Sequence, residues 1–276
     1  MTAVWLRYSS NNGFRSSSFK AGLLDHEQTL WLTSGYGVEK WTMRNLAVFP
    51  FHMGHVYNNG AVTVDSGGHF WAASQAGLQE LWTNSVGEWR TETHRLPVGR
   101  YVLTPQAVNI DFRGRLWVNF TDVGLRCYSI TPGGRGASRL VDTTPPRLSA
   151  LLPEGAIQCF IVDRKNRLWC SVHAVGVIVI DLNRGPTLQR TFSNITGLDG
   201  GNSVRVLFED LDGRIWIAGF NGGVAVISPD DIQGPPTILE TKGLPAGGVR
   251  ALLQDSEGRM WIGTRYGGLA LLENGG

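Results

Sequence analysis

Apolar and polar residues along this chain fall in short runs broken by Gly, Asp and Pro, a pattern that leaves little room for helices. "VRVLFED" from Val204, "RIWIAG" from Arg214 and "GVAVIS" from Gly223 each read as one strand, rich in β-branched and aromatic residues and bounded by turn formers. A looser fourth strand and a Pro- and Gly-rich connector follow, as in "SPDDIQGPPTILETKGLPAGGV". "TPGGRGASRLVDTTPPRLSALLPEG" and "NITGLDGGNSV" read as further connectors. The strand pattern resumes after each, so they join repeating units rather than separate domains.

The repeat itself is explicit. It reads "DHEQTLWLTSGYGV" from Asp25, "DSGGHFWAASQAGL" from Asp65, "DFRGRLWVNFTDVGL" from Asp111, "DRKNRLWCSVHAVGV" from Asp163, "DLDGRIWIAGFNGGV" from Asp210 and "DSEGRMWIGTRYGGL" from Asp255. The tryptophans Trp31, Trp71, Trp117, Trp169, Trp216 and Trp261 stand 40, 46, 52, 47 and 45 residues apart, which suits a unit of four short strands with variable loops. The spacing predicts an all-β protein, a β-propeller of six to seven four-stranded blades, with residues 1–276 as a single domain. "VWLRYSSNNGF" offers a partial seventh segment at Trp5, 26 residues before Trp31, too close for a full blade. Either these N-terminal strands complete the blade begun by the last repeat, or the chain is an excerpt of a longer protein.

Each Asp-x-x-Gly predicts a hairpin whose last loop residue needs a positive φ. Gly68, Gly114, Gly213 and Gly258 stand there, and Asn166 is the best non-glycine substitute. The Asp then faces the residue after the Gly, pairing Asp111 with Arg115, Asp163 with Arg167, Asp210 with Arg214 and Asp255 with Arg259. These are turn fasteners rather than catalytic dyads, worth about 0.2–1 kcal/mol each. Two residues beyond each Trp stand the small or modest Thr33, Ala73, Asn119, Ser171, Ala218 and Gly263, which suits face-to-face packing of neighbouring blades. "DLDG" lacks the remaining positions of a calcium loop, and "GFNGG" precedes no helix as a phosphate loop would.

Composition excludes several classes. The chain is 42% hydrophobic and 17% charged with a net charge of +2 and scattered Lys and Arg, which speaks against nucleic-acid and membrane-surface partners. No apolar run near ~20 residues predicts membrane insertion, and the N-terminus does not read as a signal peptide. Cys127, Cys159 and Cys170 lack metal-ligand spacing and read as buried free thiols. No cofactor or metal is expected. Of the six histidines, His52 and His55 in "FHMGHVY" read as connector residues, and His173 is the one placed to act as a general base.

A ligand is expected on the face carrying the entries to the first strands and the loops joining second to third strands. Five residues before the turn Asp stand Gly60, Gln106, Gln158, Arg205 and Arg250. Four after the Trp stand Gly35, Gln75, Thr121, His173, Phe220 and Arg265, with Tyr36, Asp122, Asn221 and Tyr266 adjacent. The chemistry changes from unit to unit while the scaffold repeats. The candidate ligand residues are therefore Tyr36, Gln75, Gln106, Asp122, Gln158, His173, Arg205, Phe220, Asn221, Arg250, Arg265 and Tyr266, a polar and aromatic set suited to a carbohydrate or other small polar molecule.

"DSEGRMWIGTRYGGLALL", "DLDGRIWIAGFNGGVAVI" and the lead-in phrase "GLPAGGVRALLQD" resemble the two-component regulator propeller repeat, and the resemblance extends over residues 23–272. The first copy departs from it, with Gln28 at the turn Gly and Thr29 at the Arg. The resemblance implies a non-enzymatic, extracytoplasmic ligand sensor with glycans as frequent ligands, one of a pair of propellers ahead of a membrane helix and a signalling domain. The repeat is also similar to that of streptogramin-inactivating lyases, which implies as an alternative a divalent metal held by a histidine and an acid, here His173 and Asp122. A protein-interaction scaffold is the third expectation.

Overall fold

In the computed structural model every described Asp-x-x-Gly tetrad closes a hairpin. The residues described are 19–24, 30–34, 37–42, 45–49, 62–74, 77–98, 101–102, 105–121, 123–133, 136–153, 157–195, 198, 203–239 and 248–272. The amides of Gly68, Gly114, Asn166, Gly213 and Gly258 donate to the Asp carbonyl three residues earlier at 2.8–3.0 Å. Their φ angles are 79°, 73°, 58°, 78° and 79°, so Asn166 does take the glycine conformation.

The Asp side chain does more than face an arginine. Asp111 accepts from the Arg113 and Arg115 amides at 2.9 Å, from Arg115 Nε at 2.7 Å and from Trp117 Nε1 at 2.8 Å. Asp210 accepts from the amides of Asp212 and Arg214 at 3.0 and 2.8 Å, from Arg214 Nε at 2.6 Å and from Trp216 Nε1 at 2.7 Å. Asp163 and Asp255 hold their Arg and Trp in the same way. Asp163 and Asp210 are fully buried. Removing a buried carboxylate with this many donors costs well above the expected surface-pair value, because the donors lose their partner.

Each repeat forms an antiparallel meander in sequence order. The inner strands are Phe19–Leu24, Val62–Val64, Pro105–Ile110, Ile157–Val162, Val204–Glu209 and Val249–Gln254. Neighbouring inner strands pack in turn, and Phe19–Leu24 meets Val249–Gln254, which closes a ring. The expected six to seven four-stranded blades are corrected by the strand pairing. The described residues form five four-stranded blades, and the repeat at Asp255 closes a sheet of three strands, Val249–Gln254, Met260–Thr264 and Gly268–Leu272. The physical reason is that each Trp marks the second strand of a unit, so counting tryptophans counts sheets whether or not a fourth strand is paired to them. The segment at Trp5 and the first-copy turn with Gln28 and Thr29 lie outside the described residues. The stretch read as a connector after Thr131 instead carries the outer strand Gly136–Asp142 and a one-turn helix, Leu148–Leu151. No helix among the described residues is long and apolar enough to cross a membrane.

The core is a series of apolar layers between adjacent sheets. Trp169 packs with Val177, Leu207, Ile215 and Ile217, joining the fourth and fifth sheets, and stacks on Phe192 with centroids 6.0 Å apart. The small residue beyond the Trp reaches across: Ser171 Oγ donates to Val204 O at 2.8 Å and Asn119 Nδ2 to Ile157 O at 3.3 Å. All three cysteines are free and buried, and burial pushes the thiols of Cys127 and Cys159 up to about 11 and about 12.

The second sheet departs from the repeat at one buried position. Cys127, Val179, Val226 and Leu271 stand opposite their tryptophans, whereas Trp71 faces Glu80. Glu80 is fully buried. It accepts from His69 Nδ1 at 2.6 Å, His94 Nε2 at 2.7 Å, and Ser138 Oγ and N at 2.6 and 2.9 Å. Ser138 lies on the third sheet's outer strand, so one carboxylate ties two sheets together. Burial alone would raise this carboxyl, but the hydrogen bonds from His94, Ser138 and His69 outweigh it and hold Glu80 at about 2, against 4.5 ordinarily.

Two stability predictions follow from these carboxylates. Asp210→Ala strands the buried Trp216 N–H and leaves Arg214 with Asp212 alone, and should cost about 1–3 kcal/mol in urea unfolding; a loss under ~0.5 kcal/mol would show that the hub is dispensable. Because Glu80 has its folded value below its unfolded one, its contribution is full above pH 4.5 and is lost as the pH falls towards 2. Glu80→Gln should therefore remove on the order of 3 kcal/mol at neutral pH and flatten the acid limb of stability against pH.

Candidate functional site at the open end of the ring

The antiparallel meander puts the Asp-x-x-Gly turns at one end of the ring, and the inner-strand entries and second-to-third-strand turns at the other. Gln106, Gln158, Arg205 and Arg250 are each the second residue of an inner strand. Each is also the residue skipped by a register shift, as where Val204 faces Gly219 and Val206 faces Ala218. Lys20 holds the same place in the first sheet, between Phe19 and Ala21. It was missed in the sequence although it stands five residues before Asp25, the spacing that marked the others.

The two columns named from the sequence meet here. Gln106 Nε2 donates to Thr121 Oγ1 at 3.1 Å, and Gln158 Nε2 lies 3.2 Å from His173 Nδ1. In the fifth and sixth sheets the contacts are aromatic. The guanidinium carbons of Arg205, Arg250 and Arg265 lie 4.7, 4.7 and 5.8 Å from the Phe220 ring centroid, and that of Arg265 lies 4.8 Å from Tyr266. Arg265 and Tyr266 are exposed, and Asn221 is exposed beside Phe220. Tyr36, Gln75 and Asp122 lie outside the described residues.

Backbone contacts hold this arrangement. Phe220 N donates to Ser203 O at 2.7 Å and Arg265 N to Gly248 O at 3.0 Å. Gly248 lies so close to Phe220 that a Cβ there would overlap the Phe220 carbonyl. The turns bearing Phe220 and Arg265 are thereby tied to the entries of the fifth and sixth inner strands.

Behind the opening, a cavity of about 430 Å³ runs between the inner strands of the second to sixth sheets. Arg205 and Arg250 line it, as do Phe160, Leu207 and Leu252. Burial, then the charge of Arg265, lowers the Arg205 guanidinium; burial, then the charges of Arg205 and Arg265, lowers that of Arg250. Among the described residues the opening thus presents cations and aromatic faces on the fifth and sixth sheets, and amide, hydroxyl and imidazole groups on the third and fourth. His173 engages a neutral amide, and no three His, Cys, Asp or Glu side chains among the described residues are grouped to hold a metal ion.

Residues 243–266 match the two component regulator propeller repeat. This regulator-propeller repeat contains both Arg250 and Arg265. No curated protein matches the chain in sequence. Among solved structures, the extracellular domain assigned to the hybrid two component system BT3049 of B. thetaiotaomicron is similar at 13% identity and a TM-score of 0.60, over 99% of this chain and 42% of that one. The chain therefore spans under half the length of that domain. Virginiamycin B lyase of Staphylococcus aureus is similar at 15% identity and a TM-score of 0.59, over 96% of this chain and 82% of the lyase. The gluconolactonase XC5397 of Xanthomonas campestris is similar at 15% identity and a TM-score of 0.64, over 98% and 89%. At such identities the likeness is one of fold, which the regulator-propeller repeat shares with sensor domains and enzymes alike.

The contact of Gly248 with Phe220 gives a prediction. Gly248→Ala should speed hydrogen exchange at the Phe220 and Arg265 amides by at least about tenfold while leaving the Asp111 turn amide protected. Unchanged exchange at those two amides would mean that the close approach does not fix the turns.

Proposed function

We propose that this chain is a non-enzymatic, ligand-binding sensor propeller of an extracytoplasmic receptor, which takes a glycan or another small polar molecule at the open end of its ring. The observation that carries the proposal is the meeting of two side-chain columns around the mouth of the axial cavity, Gln106 with Thr121, Gln158 with His173, and Arg205 with Phe220. Their chemistry differs from sheet to sheet, whereas the Asp-Arg-Trp turns at the other end repeat. Variation confined to one end of a repeating scaffold is what a specific ligand selects for.

The match of residues 243–266 to a two component regulator propeller supports a signalling role, and a second propeller or a signalling domain is the partner it suggests.

A thermal-shift screen of the purified chain against saccharides, small polar metabolites and divalent ions tests this function. A saturating ligand at 100 times its Kd should stabilise the protein by about 2.7 kcal/mol, and His173→Ala and Arg265→Ala should abolish that gain. Divalent-ion stabilisation with turnover of the bound molecule, lost in His173→Ala, would overturn the non-enzymatic reading.

A further inference from the structure

Cations of the Asp-x-x-Gly turns pair with carboxylates at several positions. Arg115, Arg167, Arg214 and Arg259 each bind the Asp of their own turn at 2.5–2.7 Å, and Arg164 and Lys165 pair with Glu209 and Asp230. The open end gathers its cations instead. Among the described residues neither Arg250 nor Arg265 pairs with a carboxylate, yet both are drawn with Arg205 onto one neutral ring. Three guanidinium carbons within 5.8 Å of the Phe220 centroid repel one another, and partial burial of Arg205 and Arg250 adds to that cost.

We infer that the Arg205–Arg250–Arg265 cluster on Phe220 is an oxyanion subsite, and that the ligand is a saccharide carrying a carboxylate or sulfate ester. The inference rests on the sensor reading above and names its ligand class. A guanidinium stacked on an aromatic ring keeps its in-plane N–H groups for a planar or tetrahedral oxyanion, and such charge-assisted bonds are about twice as strong as neutral ones. Tyr266, 63% exposed and in contact with Arg265, gives a sugar ring an apolar face to lie on. Across the mouth, Gln106, Gln158 and His173 offer donors and acceptors suited to hydroxyls. The opening is therefore polarised, and a bound saccharide is oriented with its anionic group towards the fifth and sixth sheets.

Calorimetric titration with two matched pairs tests the charge directly: trigalacturonate against its methyl ester, and a κ-carrageenan oligosaccharide against its desulfated form. The charged member of at least one pair should bind at least about tenfold more tightly than its neutral twin, with affinity that falls as salt rises. Which pair discriminates separates carboxylate from sulfate. Arg250→Gln with Arg265→Gln should erase the preference while the melting temperature holds, whereas Arg113→Gln, which removes one exposed charge from the turn end, should leave it intact. Equal binding of charged and neutral twins would overturn the oxyanion inference and leave the saccharide-sensor reading standing. So would a preference that survives the double substitution. No binding of any saccharide, charged or neutral, would overturn both.

Discussion

A carboxylate sealed from water must have its lone pairs met by the protein, and Asp111, Asp163, Asp210 and Asp255 are met by backbone, arginine and indole donors together. The rest of the architecture depends on that requirement. The bond from Asp163 to Trp169 Nε1 fixes the ring in the gap between the fourth and fifth sheets, where it becomes the centre of an apolar layer. With the indole placed, the small Ser171 beyond it comes within reach of the next inner strand's Val204 carbonyl. Repetition of this geometry turns one sheet relative to the next, and the ring follows.

The two ends of the ring consequently differ in kind. At the turn end, neighbouring repeats are laced by polar contacts: Arg164 binds Glu209 and the Leu211 carbonyl, the Leu211 amide donates to Gln254, and Lys165 reaches Asp230. Those charges are spent on cohesion. At the open end, side chains meet across loops and the backbone supplies the anchoring, through Ser203 and Gly248. Fold and recognition thus draw on separate sets of residues within the same repeat.

The turns were legible in the sequence because their constraint is local: an Asp, a position demanding positive φ and an Arg lie within five residues, so that even Asn166 declared its conformation. The two side-chain columns were legible for the same reason, since a fixed distance from Asp or Trp is a fixed height on the sheet. What lay hidden depends on neighbours. The tryptophan was read for its size, and its N–H bond to the Asp appears only once the hairpin is folded. The gathering of three arginines on Phe220 needs the rotation between the fifth and sixth sheets, which no single repeat encodes. Glu80 carried a faint signal, a charged residue in a run of apolar ones with a His at the usual Arg position, but its partner Ser138 is 58 residues away. The number of four-stranded blades was overestimated because counting tryptophans counts second strands, and an outer strand leaves no comparable mark.

The register shift at the head of the inner strands has an evolutionary consequence. Lys20, Gln106, Gln158, Arg205 and Arg250 are each the extra residue of an irregular step, facing no partner position on the neighbouring strand. Exchange at such a site leaves the pairing of the sheet untouched, because the residues on either side still meet Ser34, Phe120, Val172, Gly219 and Thr264 and their neighbours. A lineage of these rings can therefore rewrite its mouth one residue at a time, drifting from amide to guanidinium or back, with each intermediate still folded and each one differently lined.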